Sequence, residues 1–430
     1  MFSKSDAGFN RGESIESILP GHLHFIGIGG ISMSSLAAIL HYRGAKISGS
    51  DITESDQTRM LEKLGIKVYI PHNRRNIKSA DFIIINSAIS KRNPEFLEAK
   101  KRGIRILQRE QVLALIEKNF ATRIAVAGTH GKSTTTAMIY AILAEAGLEP
   151  TVHNGAVMYK KTNGTHDKEP TNFILGSDKY FLTEACEFKR NFLALNPTIA
   201  VVTNVDADHL DCYKDIDDIK ETFGKFAAKA SVLVKNPNCK NSSGLSGREK
   251  TLNFADIDIK LQIPGAHNIE NAKAAAAVGQ VLGISEAVIN KALFEFKGIG
   301  RRFEKIKVIE NCDIIADYAH HPTEIKTTIQ TADSLYKRFL VLFQPHTYTR
   351  TLALFDSFVE VLGGCNSVLF KTYAAREKPI SGGTARDLAS AIGCKYLPTG
   401  RALQKFINGS AQNYDAIILT GAGDMLKYLS

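Results

Sequence analysis

One succession constrains this chain more than any other: an apolar run, closely spaced glycines, then a helical stretch, and it occurs twice. "LHFIGIGGISMSSLAAILHYRG" spans residues 23–44 and "TRIAVAGTHGKSTTTAMIYAILAEAG" spans 122–147. In each, glycine lets the backbone leave a strand sharply and bring N–H groups to a helix start, an arrangement that suits a phosphate. After the first turn the alternation continues through "AKISGSD", "TRMLEKLG", "IKVYI" and "ADFIIINSAI". Such βα alternation predicts a parallel, doubly wound sheet with ligands at the carboxyl ends of its strands. A further α/β unit begins near Gly298, after the Ala-rich "NAKAAAAVGQVLG", with buried-strand runs in "CDIIADYA", "RFLVLFQ", "SVLFKTYA" and "YDAIILTGAG". The expected organisation is three α/β domains, at residues 1–121, 122–298 and 299–430, with the polar stretch 235–250 a loop in the second.

A length of 430 residues and 44% apolar residues allow each unit its own core. The net charge of +10 is spread along the chain, with only short groups such as Lys100–Arg102. That pattern fits small anionic ligands better than nucleic acid. Six cysteines without C-x-x-C pairing suggest reduced thiols in a cytoplasm. No apolar run approaches the roughly 18 residues needed to span a bilayer, so membrane insertion is not expected.

The second turn carries the chemistry. In "AVAGTHGKST", Gly131-Lys132-Ser133 ends like a phosphate loop, in which Lys neutralises phosphates and the hydroxyl serves Mg²⁺. The strict pattern is broken, because Val126 stands where its first glycine belongs and Gly128 follows two residues later. Acidic groups follow two other strand-like runs: Glu184 and Glu187 after "YFLT", and Asp206, Asp208, His209 and Asp211 after "TIAVVTNV". Acids at neighbouring strand ends are where the metal of a nucleotide would sit.

Twelve motifs in order, among them "HFIGIGGISMS", "SGSD", "GTHGKSTTT", "EACE", "NVDADHLD", "GAHNIENAKAA", "GRRFE", "DYAHHPTE", "QPHTYTRT" and "GAGD", run along nearly the whole chain. On these the chain resembles the Mur ligases, ATP-dependent amide-bond-forming enzymes of peptidoglycan precursor synthesis, with "DYAHHPTE" and "QPHTYTRT" nearest the alanine-adding branch. The resemblance implies an N-terminal Rossmann-like domain for a UDP-sugar, a central P-loop ATPase-type parallel sheet and a C-terminal Rossmann-like domain. It implies ATP and Mg²⁺, with UDP-N-acetylmuramate and L-alanine joined through an acyl phosphate.

By motif position, Gly27, Gly29, Gly30, Ser32, Asp51 and Ser87 would face the UDP-sugar. Gly128, Thr129, His130, Gly131, Lys132, Ser133 and Thr134 would hold ATP, with Asn268 and Asn271 reading the adenine and Arg302 and Asp317 added from the third domain. Ser133, Glu184 and His209 would ligate metal. Tyr318, His346 and Arg350 would surround the amino acid, with Lys132, His209, Arg302, His321, His346 and Arg350 acting on the reacting groups. Two departures from the family pattern stand out, Thr347 in place of a second arginine and Cys186 in place of an aspartate; Ser32 stands where a G-x-G-x-x-G pattern would have its third glycine. The interval 234–264 is also short for the family.

Other readings stay open on sequence. A sister ligase would add a tripeptide or a different amino acid. The first glycine turn, with Asp51 placed like a ribose acid, would also suit an NAD-dependent oxidoreductase. A non-catalytic sensor would keep the nucleotide sites without turnover.

Overall fold

The computed structural model describes residues 14–162, 165–207, 212–375 and 377–429. Contacts divide the chain into two compact units, residues 1–260 with 270–296, and residues 261–269 with 297–430. The first unit holds two sheets and the second holds one.

The first sheet is built from β1 (His22–Ile26), β2 (Lys46–Ser50), β3 (Lys67–Tyr69), β4 (Phe82–Ile85) and β5 (Arg105–Gln108). Its order is β3-β2-β1-β4-β5, and every pair is parallel. The order reverses at β1, which opens a crevice at the carboxyl end of that strand. All five β1 residues are buried, as expected for a strand covered on both faces.

The second sheet comprises β6 (Thr122–Ala127), β7 (Thr151–Thr162), β8 (Thr165–Ile174), β9 (Tyr180–Glu184), β10 (Ile199–Val202), β11 (Val232–Lys235) and β12 (Lys250–Asn253). Its order is β12-β11-β10-β6-β9-β7-β8. All pairs are parallel except the β7–β8 hairpin. β6, which leads into the second glycine turn, lies between β9 and β10, so that Glu184 at the end of one and Asp206 after the other flank the turn. Register fixes this placement, with Glu184 opposite Val126 and Val202 opposite Ala127. The short interval 234–264 holds the end of β11, a 3-10 turn at Lys240–Ser242 and the edge strand β12.

These two sheets share one core. Phe25, Leu36, Phe181 and Phe223 are fully buried in a single cluster, and the Phe120 ring, from the connecting segment, stacks on Phe181 at 4.9 Å.

The third sheet holds β13 (Glu304–Ile309), β14 (Cys312–Asp317), β15 (Phe339–Phe343), β16 (Ser367–Phe370), β17 (Lys395–Leu397) and β18 (Ala416–Thr420), in the order β13-β14-β18-β15-β16-β17. It is parallel apart from β13, which turns back through Glu310 and Asn311, both at positive φ. Two positive φ values in a two-residue turn match the twist of a hairpin. One face packs around Leu340, Phe370 and Ile417, the other around Phe343, Phe358 and Leu369. Three α/β sheets match the three strand-rich stretches of the sequence reading, within two compact units; the two antiparallel hairpins are additions to it.

Candidate active site

The second glycine turn is shaped by contacts that exclude side chains. Gly128 lies at φ +144° and Gly131 at φ +82°. A Cβ on Gly128 would sit 1.9 Å from Thr203 Oγ1, and one on Gly131 would sit 2.3 Å from Asn271 Oδ1. Around them His130 N donates to Asn204 Oδ1 at 2.8 Å, and Thr203 Oγ1 donates to His130 O at 2.6 Å. Thr129 Oγ1 accepts from Asp206 N at 2.9 Å, and Thr135 Oγ1 donates to Asn271 Oδ1 at 3.2 Å. The turn is thus held by the end of β10 and by the helix Ala266–Val281. Thr134 is buried in the helix Lys132–Glu145, which starts at the turn.

Lys132 folds back over this turn. Its Nζ donates to Gly128 O at 2.5 Å, Thr129 O at 3.0 Å and Glu187 Oε1 at 3.1 Å. Burial would lower its pKa, but the carboxylate of Glu187, with Cys186 and Glu184 behind it, holds the ammonium above its ordinary value. Burial and the Glu187 charge push the Cys186 thiol up to about 11, so it is no thiolate nucleophile near neutral pH.

Ser133 Oγ donates to Glu184 Oε2 at 2.6 Å, and Gly155 N donates to the same oxygen at 3.1 Å. A hydroxyl and a carboxylate converging beside a phosphate turn are hard oxygen donors, which fit Mg²⁺. His209, the third ligand expected, lies outside the described residues. Among the described residues, no three His, Cys, Asp or Glu side chains gather as a metal site.

At the first glycine turn Gly27 has φ +80°, and its N–H donates to Ser50 O at 2.8 Å. Gly30 caps the helix Ile31–Tyr42. Asp51 does not stand free: its carboxylate accepts from Gly29 N at 2.8 Å and from Ile52 N at 2.7 Å. It therefore braces the turn. Ser87 is exposed after β4. Beneath the turn lies a buried polar group that sequence reasoning missed. Glu95 accepts from Ser50 Oγ at 2.5 Å, Asn73 N at 3.0 Å and Asn76 Nδ2 at 2.7 Å, with His72 Nδ1 at 3.4 Å and His24 Nε2 at 3.7 Å. Burial opposes its ionisation, but hydrogen bonding from His24, His72 and Ser50 outweighs that and holds the carboxyl well below its usual range.

In the second unit, a polar group forms where β14 and β15 end. Asp317 is buried, accepting from Phe303 N and Ala319 N, each at 2.8 Å. Burial raises its pKa against the pull of Arg302. Tyr318 lies under two guanidinium groups, at 5.0 Å from Arg301 and 5.4 Å from Arg302. Arg301 is committed to the carbonyls of Gly421 and Gly423; Arg302 Nη1 lies 4.0 Å from Glu324 Oε1. Arg350 Nη1 meets His346 Nδ1 at 3.2 Å. Burial, reinforced by Arg350 and His320, lowers His346 to about 4, so the ring is neutral near pH 7.

His321 occupies the N-cap of the helix Pro322–Leu335, its Nδ1 accepting from Thr323 N at 3.3 Å. Its neighbour His320 is the ring that stands 6.0 Å from His346 and 3.5 Å from Glu324 Oε2, whereas motif position puts His321 among the reacting groups. Asn268 donates to Pro264 O, within its own segment. Thr347 also acquires a reason: at φ +67° it caps the helix Tyr348–Ala353, accepting from Arg350 N.

Fold and site together define a nucleotide-binding α/β protein whose phosphate turn is served by a lysine and a hydroxyl–carboxylate pair. Family models agree along the chain: "Mur ligase family, catalytic domain" at residues 22–121, "Mur ligase middle domain" at 126–248 and "Mur ligase, glutamate ligase domain" at 301–423. The UDP-N-acetylmuramate--L-alanine ligase of Caldicellulosiruptor saccharolyticus is 39% identical, and that of Caldicellulosiruptor bescii 41%; each match covers 94% of this chain and 96% of the relative. The solved UDP-N-acetylmuramate-alanine ligase of Thermotoga maritima superposes with a TM-score of 0.80 at 28% identity, covering 95% of this chain and 97% of that one. The chain belongs to the Mur ligase family.

Proposed function

We propose that the protein joins L-alanine to the lactyl carboxylate of UDP-N-acetylmuramate at the expense of ATP. The carboxylate oxygen attacks the γ-phosphorus and ADP leaves. The amine of L-alanine then attacks the acyl phosphate, loses a proton, and expels inorganic phosphate as the amide forms. The observation that carries the reading is the convergence of Lys132, Ser133 and Glu184 at the end of β6, in a chain about two-fifths identical to named ligases of this reaction over nearly its full length.

The chemical difficulty is charge, since an anionic carboxylate must approach a triphosphate. Lys132 supplies a fixed cation, and the N–H groups at the start of its helix supply oriented dipoles. Ser133 and Glu184 would hold Mg²⁺, which when bound neutralises phosphate charge. Arg350 offers a planar, bidentate partner for the alanine carboxylate. We assign neutral His346 to hold the Arg350 guanidinium in place. The first glycine turn, braced by Asp51, would take the UDP diphosphate on its remaining N–H groups. An oxidoreductase would leave the second turn without a task and would use Asp51 for a ribose, whereas its carboxylate is already bonded to Gly29. The substrates are soluble nucleotides and an amino acid, and no helix among the described residues is long and apolar enough to cross a membrane; we place the reaction in the cytoplasm.

The test is phosphate release from ATP with Mg²⁺ and UDP-N-acetylmuramate, comparing L-alanine, glycine, L-serine and the recycled tripeptide. Release that depends on L-alanine supports the assignment. Preference for the tripeptide moves the protein to the sister branch, and no amino-acid-dependent release overturns the ligase reading.

A further inference from the structure

Ser32, the residue that breaks the glycine pattern of the first turn, touches the second sheet. Arg109 Nη1 donates to Ser32 Oγ at 3.1 Å, and Ser32 Oγ lies 2.8 Å from His153 Nε2 on β7. His153 Nδ1 lies 3.0 Å from Thr183 Oγ1 on β9, and Thr183 Oγ1 lies 3.1 Å from the carbonyl of Glu184.

Proton counting fixes the direction of every step. A guanidinium only donates, so Ser32 Oγ accepts from Arg109 and keeps its own proton for Nε2. A carbonyl only accepts, so Thr183 spends its proton on Glu184 and takes Nδ1–H from the ring. The Thr183 end thus sets the neutral tautomer of His153 that is protonated at Nδ1, and the Ser32 hydroxyl, with its proton to give, meets the bare Nε2. Burial, aided by the Arg109 charge, lowers this histidine to about 3 and keeps it neutral. The residue is 2% exposed, so no solvent exchange loosens the arrangement.

His153 also bears on Glu184 along its own strand. Gly155, two residues on, donates its N–H to the Glu184 carboxylate, and a Cβ there would stand 2.6 Å from Glu184 Oε2. The same imidazole therefore bears on Glu184 twice, at its backbone carbonyl through Thr183 and at its carboxylate through the β7 backbone, while its other nitrogen meets the helix start that follows the first glycine turn.

We propose that His153 is a positioning residue that couples the two glycine turns, so that filling the first turn with the UDP-sugar orders the Glu184 carboxylate and tightens binding of magnesium nucleotide at the second. This rests on the ligase reading above, and the test separates the two.

Calorimetry of Mg·ADP binding is run with and without saturating UDP-N-acetylmuramate, on the parent protein, His153→Asn and Thr183→Val. Asparagine keeps a donor near the Nδ1 position and loses Ser32; valine is an isostere that breaks the far step in a strand suited to it. The parent is expected to bind Mg·ADP about fivefold or more tightly when the sugar nucleotide is present, with the ratio falling to about one in both variants. A purely structural role would lower the melting temperature and leave the ratio alone. An unchanged ratio in the variants, or a ratio of one in the parent, overturns the coupling while the ligase reading stands. A parent that binds neither ligand overturns the ligase reading and the coupling with it. Should His153→Asn fail to fold, Thr183→Val decides the matter.

Discussion

Lys132 and the buried Glu187 form an ion pair, with Nζ 3.1 Å from Oε1, under the carbonyls of the second glycine turn. The lysine neutralises a carboxylate that is only 3% exposed, and in the proposed reaction it would counter phosphate charge as well. Removing one partner of such a pair typically costs about 3–5 kcal/mol, because the other charge stays buried. Lys132→Ala should therefore lower both stability and turnover, the latter by about a thousandfold or more. The double variant Lys132→Met, Glu187→Gln should recover most of the denaturation midpoint and none of the phosphate release. Binding of UDP-N-acetylmuramate to the first domain should survive in both. Equal loss of UDP-sugar binding and turnover would contradict separate sites.

Ser133→Ala removes the hydroxyl of the pair that meets at 2.6 Å, and Glu184→Gln removes the negative charge of its carboxylate. Each should raise the Mg²⁺ concentration for half-maximal nucleotide binding by about tenfold or more. Glu184→Gln keeps an acceptor for Gly155 N–H, so its melting temperature should stay near that of the parent. An unchanged Mg²⁺ requirement in both variants would remove this pair from the metal site.

Much of this arrangement was legible in the sequence, because parallel strands buried on both faces read as apolar runs and their glycine turns as breaks. The second turn could be placed on a strand end from "RIAVAGTHGKST" alone, despite Val126 in the position of its first glycine. Tertiary partnership was not legible. His153 sits in a hairpin strand before its one short apolar stretch, Ala156 to Tyr159, and its meaning depends on Ser32, 121 positions away. Glu95 reads as an ordinary residue in the first turn of a helix, and only β1, β2 and the loop after β3 make it a buried hub. Motif position put His321 among the reacting groups, whereas in the structure His321 is the cap before Pro322 and His320 is the ring 6.0 Å from His346, a pairing across strand ends that sequence does not show.

Arg350→Lys keeps the charge and loses the fork that can meet a carboxylate with two parallel N–H groups. Hydrogen bonds to charged groups contribute about 1.5–3 kcal/mol, so the KM for L-alanine should rise by about ten- to a hundredfold. The KM for ATP should hold within about twofold on the same estimate, since the change is confined to the amino-acid contact. A rise in the KM for ATP with none for L-alanine would move Arg350 to the phosphates.

Glu117 gives the clearest pH test. It is fully buried at the end of the helix Arg109–Glu117, with Oε2 accepting from Asn196 N at 2.7 Å and Oε1 without a hydrogen-bond partner. Burial raises its pKa from 4.5 to about 7, against the pull of that N–H and of Arg123, Lys229 and Lys118. A carboxyl whose pKa is raised on folding contributes its full stability below the unfolded value and loses it as pH climbs through the folded value. The window is therefore pH 4.5 to about 7. Glu117→Gln never ionises, so its stability relative to the parent should climb across that window and level off above it. The size of that change is on the order of 3 kcal/mol, from the shift in pKa. Urea denaturation of both proteins at pH 5 and pH 8 measures it. A stability difference that does not change between the two pH values would mean that Glu117 is ionised, and paired, throughout.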